Sequence, residues 1–225
     1  MRNKNVNCAV VAPTHGDLRR VCFGGNSGLL SIIPKECYLS SPDQKGYSSS
    51  VSEIRLFNGS KITGYAAQEP ERLRGPQYHR AWCDEVASWR YPEAFDQLMF
   101  GLRLGDNPKC VITTTPKPNK LIKDLVSRDD VHVTSGSTFE NENNLAESAL
   151  KMLRERYEGT NLGRQELYAE IIDAFEGALW KPELIDEARV NEDKDLQQII
   201  VAIDPAVTAN ANSDETGIVV VGKDF

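Results

Sequence analysis

Apolar residues fall along this chain in two alternating rhythms: short continuous runs, and longer stretches in which they recur every three or four positions. Residues 6–12 form a run stopped by Pro13-Thr14, which predicts a buried strand. Residues 53–57 and 61–65 flank Asn58-Gly59, the pattern of a hairpin with a two-residue turn. Further strands are expected at 81–84, 110–114 and 131–134. Pro92 opens a helical pattern with Ala94, Phe95, Leu98, Met99 and Leu102 on one face, and Gly105 is placed to end it. A second helix is expected near 119–127. A third carries Leu145, Ala149, Leu150, Leu153 and Tyr157 and is closed by Gly159; a fourth carries Leu167, Tyr168, Ile171, Ile172 and Phe175. Strands alternating with helices predict an α/β fold with a largely parallel sheet and flanking helices. After Phe175 an acidic stretch leads into two more strands, 198–204 and 216–222, so a domain boundary is expected there.

Of the 225 residues 40% are hydrophobic, enough for a core and too many for a disordered chain. The run Ile199-Ile200-Val201-Ala202-Ile203 is typical of the longest apolar stretches, so no membrane span or membrane partner is expected. Residues 1–7 lack the apolar centre of a signal peptide. Cysteines 8, 22, 37, 83 and 110 are odd in number and contain no C-x-x-C pair, which fits reduced thiols better than a disulfide framework or a metal cluster. The net charge of −7 argues at first against a nucleic-acid partner, but its distribution weakens that objection. Residues 1–172 hold 22 Lys and Arg against 21 Asp and Glu, a net of +1, and residues 173–225 hold 4 against 12, a net of −8.

Candidate chemistry begins at Ala81-Trp82-Cys83-Asp84-Glu85, an apolar strand ending in two adjacent acids. A nucleotide-hydrolysing motor needs one carboxylate to help hold Mg²⁺ and a second to orient the attacking water. A solvated acidic loop is the plain alternative. The run Ile112-Thr113-Thr114-Thr115-Pro116 ends a second strand, which in a parallel sheet would open on the same edge. Its threonines are either a γ-phosphate sensor or β-branched strand residues stopped by proline.

Several of these strings, taken in order, resemble phage terminase large subunits. Leu73-Arg74-Gly75-Pro76-Gln77-Tyr78-His79-Arg80-Ala81-Trp82-Cys83-Asp84-Glu85-Val86-Ala87 looks like their Walker B region, and Ile112-Thr113-Thr114-Thr115-Pro116 like their coupling motif. Val11-Ala12-Pro13-Thr14, Gly136-Ser137-Thr138 with Glu142-Asn143-Asn144-Leu145, and Gly163-Arg164-Gln165-Glu166-Leu167 also match the family pattern. The resemblance runs from about residue 6 to the end. It implies a P-loop NTPase-type (RecA/ASCE-like) motor domain over 1–175, a linker over 176–196, and over 197–225 the first β-hairpin of an RNase H-like nuclease domain. Asp84 would be the Mg²⁺-associated acid at the ATP site, Glu85 the catalytic glutamate, and Thr113, Thr114 and Thr115 the residues coupling hydrolysis to movement. Arg74 stands where related motors place an arginine finger acting on a neighbouring subunit; a surface arginine beside a Gly-Pro turn is the plain alternative. His79 is expected to pack or hydrogen-bond rather than catalyse. Asp204 would bind catalytic Mg²⁺ or Mn²⁺ in the nuclease, with Asp214 a weaker second ligand that also fits a solvated turn.

The resemblance further implies double-stranded DNA, the portal protein, the small terminase subunit and other copies of the chain in a ring as partners. The setting would be the cytoplasm of a bacterial host, on the procapsid portal. One departure stands out: no G-x-x-x-x-G-K-[ST] occurs, and Gly24-Gly25-Asn26-Ser27-Gly28 continues into Leu29-Leu30 without a lysine. That loop supplies the amide cradle and lysine for the phosphates. The expectation for these 225 residues alone is an α/β core lacking the Walker A unit and its strand, without tight ATP binding. A helicase-like ATPase would share Asp84-Glu85 but not the threonine strand followed by Asp204-Pro205; a non-catalytic prophage remnant is the other alternative. Purified residues 1–225 should hydrolyse ATP no faster than their Glu85→Gln variant. Magnesium-dependent phosphate release well above that variant would show the cradle to be dispensable.

Overall fold

The computed structural model describes residues 5–41, 44–172, 184, 187–189, 196–206 and 216–223. Strand β1 (Asn7–Ala12) lies between β6 (Lys61–Ala66) and β7 (Arg80–Asp84), parallel to both, and β7 pairs in parallel with β8 (Lys109–Thr113). On the other side β6 pairs antiparallel with β5 (Glu53–Arg55), which pairs with β4 (Tyr47–Ser48), giving the order β4-β5-β6-β1-β7-β8. Two-residue strands β2 (Ser40–Ser41) and β3 (Gln44–Lys45) form a separate antiparallel pair. This is the α/β fold with a largely parallel sheet that the apolar rhythm predicts.

The continuous run in β1 follows from burial on both faces. Ala9 and Val11 enter a core with Ala81, Cys83, Ala94, Phe95, Leu98, Ile122 and Leu125, so helices α3 (Glu93–Gly101) and α4 (Lys120–Val126) cover that face. Val10 and Ala12 enter the opposite core with Leu18, Cys22, Phe23 and Ile54. There the cover is a short α1 (His15–Asp17) running into a π-helical turn over Leu18–Phe23, followed by α2 (Leu29–Ile32). Strand β8 alternates instead: Lys109, Val111 and Thr113 are exposed while Cys110 and Ile112 face the core.

Helix α5 (Glu147–Tyr157) sets Ala149, Leu150, Leu153 and Tyr157 on a half-buried face, as their spacing predicts, whereas Leu145, expected on the same helix, precedes its cap Ala146 and is exposed. Beside it, a 3-10 segment (Thr138–Asn144) starts with a capping box between Ser137 and Glu140. The Phe139 ring lies tilted against Tyr168, with centroids 5.3 Å apart, and under the Arg154 guanidinium at 4.7 Å.

Four further expectations need correction. The hairpin loop has three residues, because Leu56 and Ser60 still pair (Leu56 N–H to Ser60 O, 2.9 Å) and only Gly59 has positive φ, at 83°. A two-residue type I′ turn needs positive φ at both central positions, which Asn58 does not adopt. Residues 131–134 form no strand: β8 ends the sheet, and among the described residues no neighbour supplies a ladder. Helix α3 stops at Gly101, where Tyr78 N–H bonds the Gly101 carbonyl; Gly105, at φ 75°, serves the loop beyond. Helix α6 covers Asn161–Tyr168, because Thr160 caps it and Ala169 ends it at φ 54°; Ile171 and Ile172 lie past its end, and Phe175 lies outside the described residues.

The chain divides into two compact units, Met1–Glu176 and Gly177–Phe225. Within the second, β9 (Gln198–Asp204) pairs antiparallel with β10 (Gly217–Lys223), Gly217 opposite Asp204, and every residue of both strands is exposed. Among the described residues no helix is long and apolar enough to cross a membrane.

The seating of the π-helical turn gives a stability test. A Cβ on Gly64 of β6 would lie 2.8 Å from both Leu18 Cδ2 and Phe23 Cε2. Gly64→Ala should therefore lower stability by about 1–3 kcal/mol, the usual cost of overpacking a filled core. An unchanged urea midpoint would mean that this layer is not seated on β6.

Candidate functional site

Parallel pairing sends the C-terminal ends of β1, β6, β7 and β8 to one sheet edge, the edge on which α/β folds bind ligands. Asp84 and Thr113 are register partners at the ends of β7 and β8. The Thr113 hydroxyl donates to Asp84 Oδ1 at 2.8 Å and accepts from Trp82 Nε1 at 3.0 Å, so one relay orients the carboxylate. The second carboxylate oxygen faces the buried Cys22 thiol at 3.6 Å. Burial first, then the negative charge and hydrogen bond of Asp84, and then Asp17, push that thiol up to about 12, so it stays protonated and donates. At the end of β1, Thr14 caps the following turn by accepting from Asp17 N–H and donating to its carboxylate.

The chain then reverses sharply. Glu85 is exposed and adopts φ 50°, ψ 47°, a left-handed conformation that costs a non-glycine residue roughly 1–3 kcal/mol. Ser88 stabilises it by bonding the Glu85 carbonyl through both its N–H (2.9 Å) and its hydroxyl (2.7 Å). Trp89, 6% exposed, donates its indole N–H to the Asp84 carbonyl at 2.9 Å.

The segment after β8 grips this turn. Thr114 Oγ1 accepts from Ala87 N–H at 3.0 Å, Asn119 Nδ2 donates to the Ala87 carbonyl at 3.0 Å, and Thr115 N–H reaches Glu85 Oε2 at 3.4 Å. Deeper in the sheet the Cys83 and Cys110 sulfurs touch at 3.6 Å. Asp84, Glu85, Thr113, Thr114 and Thr115 thus form one constellation.

Arg74 stands elsewhere. It follows the 3-10 turn Pro70–Leu73, pairs with Glu71 at 3.2 Å on the exposed surface, and lines an open cleft with Gly75, Pro76, Phe100 and Arg103. Leu102 bridges Tyr78, just before β7 begins, so the Gly101 end of this cleft lies toward the start of β7, while Glu71, the partner of Arg74, belongs to the turn that follows the end of β6. His79 Nδ1 accepts from Asn7 N–H at 3.0 Å, a hydrogen-bonding position. Asp204 ends β9 in the second unit, where Ala206 N–H donates to Thr216 Oγ1 at 3.1 Å; Asp214 lies outside the described residues. Among the described residues no three His, Cys, Asp or Glu side chains come together as metal ligands.

Reasoning from sequence missed Cys22, Trp89 and Asn119. No local signal marks the first two, whose roles arise from contacts made across the fold. Asn119 carried a signal as the cap of an expected helix, but its second contact did not.

The family described as terminase large subunit, T4likevirus-type, N-terminal, matches residues 1–186. No curated protein matches the chain. Among solved structures, the large terminase of a thermophilic bacteriophage is similar at 12% identity and a TM-score of 0.57, covering 76% of this chain and 42% of that one. The same large terminase in complex with ADP gives 14%, 0.57, 99% and 53%, and in complex with ATP-gamma-S 14%, 0.51, 91% and 49%. The chain therefore spans about half the length of that relative, and the likeness is one of fold. With the family match extending over most of its length, the chain belongs to the terminase large subunit family, whose role is DNA packaging.

Proposed function

We propose that this chain supplies the hydrolytic edge of an ATP-driven motor that moves double-stranded DNA into a procapsid. The observation that carries the reading is the pinned turn at Asp84-Glu85, held directly against Thr113, Thr114 and Thr115. A nucleotide ligand is in keeping with the thermophilic bacteriophage's large terminase, solved in complex with ADP and with ATP-gamma-S.

Asp84, fixed by Thr113, would help hold Mg²⁺, and the exposed Glu85 would orient the attacking water. The donors fit the metal: Mg²⁺ usually binds one or two carboxylates together with phosphate oxygens rather than an all-protein cage. When bound, the ion would neutralise charge developing on the phosphates. The threonines would carry the change in bonding at Asp84 and Glu85 into β8 and α4, which is how hydrolysis would couple to movement. DNA would be gripped through its phosphates, since a packaging motor must accept any sequence. The portal, the small terminase subunit and other copies of this chain in a ring are the partners this reading requires, in the cytoplasm of a bacterial host.

Arg74 pairs with Glu71 and lines a cleft to which Glu85 does not contribute. That placement supports a finger acting on the next subunit rather than on its own site. In a full-length large subunit carrying this chain, Arg74→Ala should abolish DNA-stimulated hydrolysis while leaving nucleotide binding nearly intact, because such a finger stabilises the transition state more than the ground state. Mixing Arg74→Ala with Glu85→Gln subunits should restore part of the activity, at interfaces pairing an intact finger with an intact site. A mixture with no recovery would assign Arg74 to structure, or to its own subunit.

The second unit is proposed to begin the nuclease that cuts concatemeric DNA, with Asp204 a metal ligand and Asp214 a weaker candidate. Two-metal cleavage places its cations about 4 Å apart and needs several carboxylates. In the full-length protein Asp204→Ala should eliminate Mg²⁺- or Mn²⁺-dependent nicking and leave hydrolysis intact, while Glu85→Gln should do the reverse. Nicking by Asp204→Ala at the wild-type rate in a plasmid assay would remove the nuclease assignment and leave the motor assignment standing.

A further inference from the structure

Both backbone groups of Ala87, two residues after Glu85, are held by side chains from beyond β8: its N–H by Thr114 Oγ1 and its carbonyl by Asn119 Nδ2, each at 3.0 Å. Ala87 is 8% exposed, so water is a poor substitute for either partner. The other end of the same Asn119 amide caps α4, with Oδ1 accepting from Ile122 N–H at 2.9 Å. The two neighbours demand opposite characters, a donor toward Ala87 and an acceptor toward Ile122, which sets the orientation of the amide. The cap is firmly seated, because Ile122 and Leu125 of α4 lie in the same core as Val86, Ala87 and Trp89.

We propose that Asn119 is a positioning residue for Glu85, tying the start of α4 to the 85–89 turn and holding that turn in its left-handed geometry. The inference rests on the hydrolytic role of Glu85 proposed above. Among the described residues the Glu85 carboxylate has one long hydrogen bond, 3.4 Å from Thr115 N–H, so the backbone at φ 50°, ψ 47° sets its aim. Releasing the Ala87 carbonyl removes one of the restraints on a strained residue and lets the turn relax. A group that orients a water molecule tolerates little displacement. Aspartate and serine would cap α4 about as well as asparagine does, and threonine somewhat less well. Asparagine alone among these offers an amide N–H to the turn while keeping its carbonyl oxygen on the helix.

The test is steady-state ATP hydrolysis by the full-length large subunit carrying Asn119→Asp or Asn119→Ala, with Glu85→Gln as reference. Asn119→Asp keeps the cap and turns the donor facing Ala87 into an acceptor. Its kcat should fall on the order of ten-fold, with KM for ATP and Tm near wild type. Asn119→Ala should lose kcat similarly and lower Tm as well, through the missing cap. Wild-type turnover by Asn119→Asp beside a slow Asn119→Ala would reduce Asn119 to a helix cap and overturn the proposal, as would wild-type turnover by both. If Glu85→Gln hydrolyses ATP like wild type, the hydrolytic reading itself fails and takes this inference with it. Should Asn119→Asp disturb the larger protein, amide hydrogen exchange on the 225-residue chain gives a separate reading. Exchange over residues 86–89 should quicken while that over 120–126 holds, and unchanged exchange at 86–89 would overturn the proposal.

Discussion

The parallel register of β7 and β8 is the constraint on which the candidate site depends. Pairing Arg80 with Lys109 at one end obliges Asp84 to meet Thr113 at the other, since the ladder admits no slip without turning every side chain to the opposite face. A slip of one residue would also send Cys110 and Ile112 out of the core beneath α3 and α4. Hydrophobic burial therefore sets the register, and the register sets the carboxylate beside the hydroxyl. Chemistry at this edge is inherited from packing behind it.

The turn that follows is strained and stays folded because its bonds outweigh the strain. A left-handed Glu85 costs roughly 1–3 kcal/mol. Against it stand Ser88 to the Glu85 carbonyl, Trp89 to the Asp84 carbonyl, and Thr114 and Asn119 to Ala87. Each such bond contributes about 0.5–1.5 kcal/mol net; with Ser88 bonding through both its N–H and its hydroxyl there are five, which together match or exceed the strain, while any two are comparable to it. Two of them come from beyond β8, and that is why the geometry at Glu85 answers to the position of α4.

Much of this arrangement is legible in the chain. The two-sided burial of β1 announces itself in Cys8-Ala9-Val10-Val11-Ala12, and Asp84-Glu85 with Thr113-Thr114-Thr115 mark two strand ends that a parallel sheet must bring to one edge. The misses share a physical cause. Residues 131–134 have strand-like residues but, among the described residues, no neighbour to pair with, and pairing is a property of the sheet, not of the segment. Phe57-Asn58-Gly59 contains the dipeptide of a tight turn, yet only Gly59 takes positive φ and the loop widens by a residue. Cys22 lies 62 positions from Asp84 and Trp89 bonds a backbone carbonyl, so neither contact leaves a periodic trace.

Helix α3 connects the two edges of the sheet and shows what can and cannot pass between them. It begins shortly after the pinned turn and ends at Gly101, beside the cleft that holds Arg74. Nine residues span roughly 13.5 Å at 1.5 Å per residue, and Ala94, Phe95 and Leu98 are buried along that length. A helix so packed does not bend to relay a small shift, because close-packed interiors resist local compression. A change in the turn at Glu85 therefore reaches the Arg74 cleft only if α3 moves as a rigid body over β1 and β7, carrying the 3-10 turn at Pro70–Leu73 with it. The contact of Leu73 with the same core favours that collective movement over independent motion of the Arg74 loop, since Leu73 is fully buried while Arg74, the next residue, is exposed.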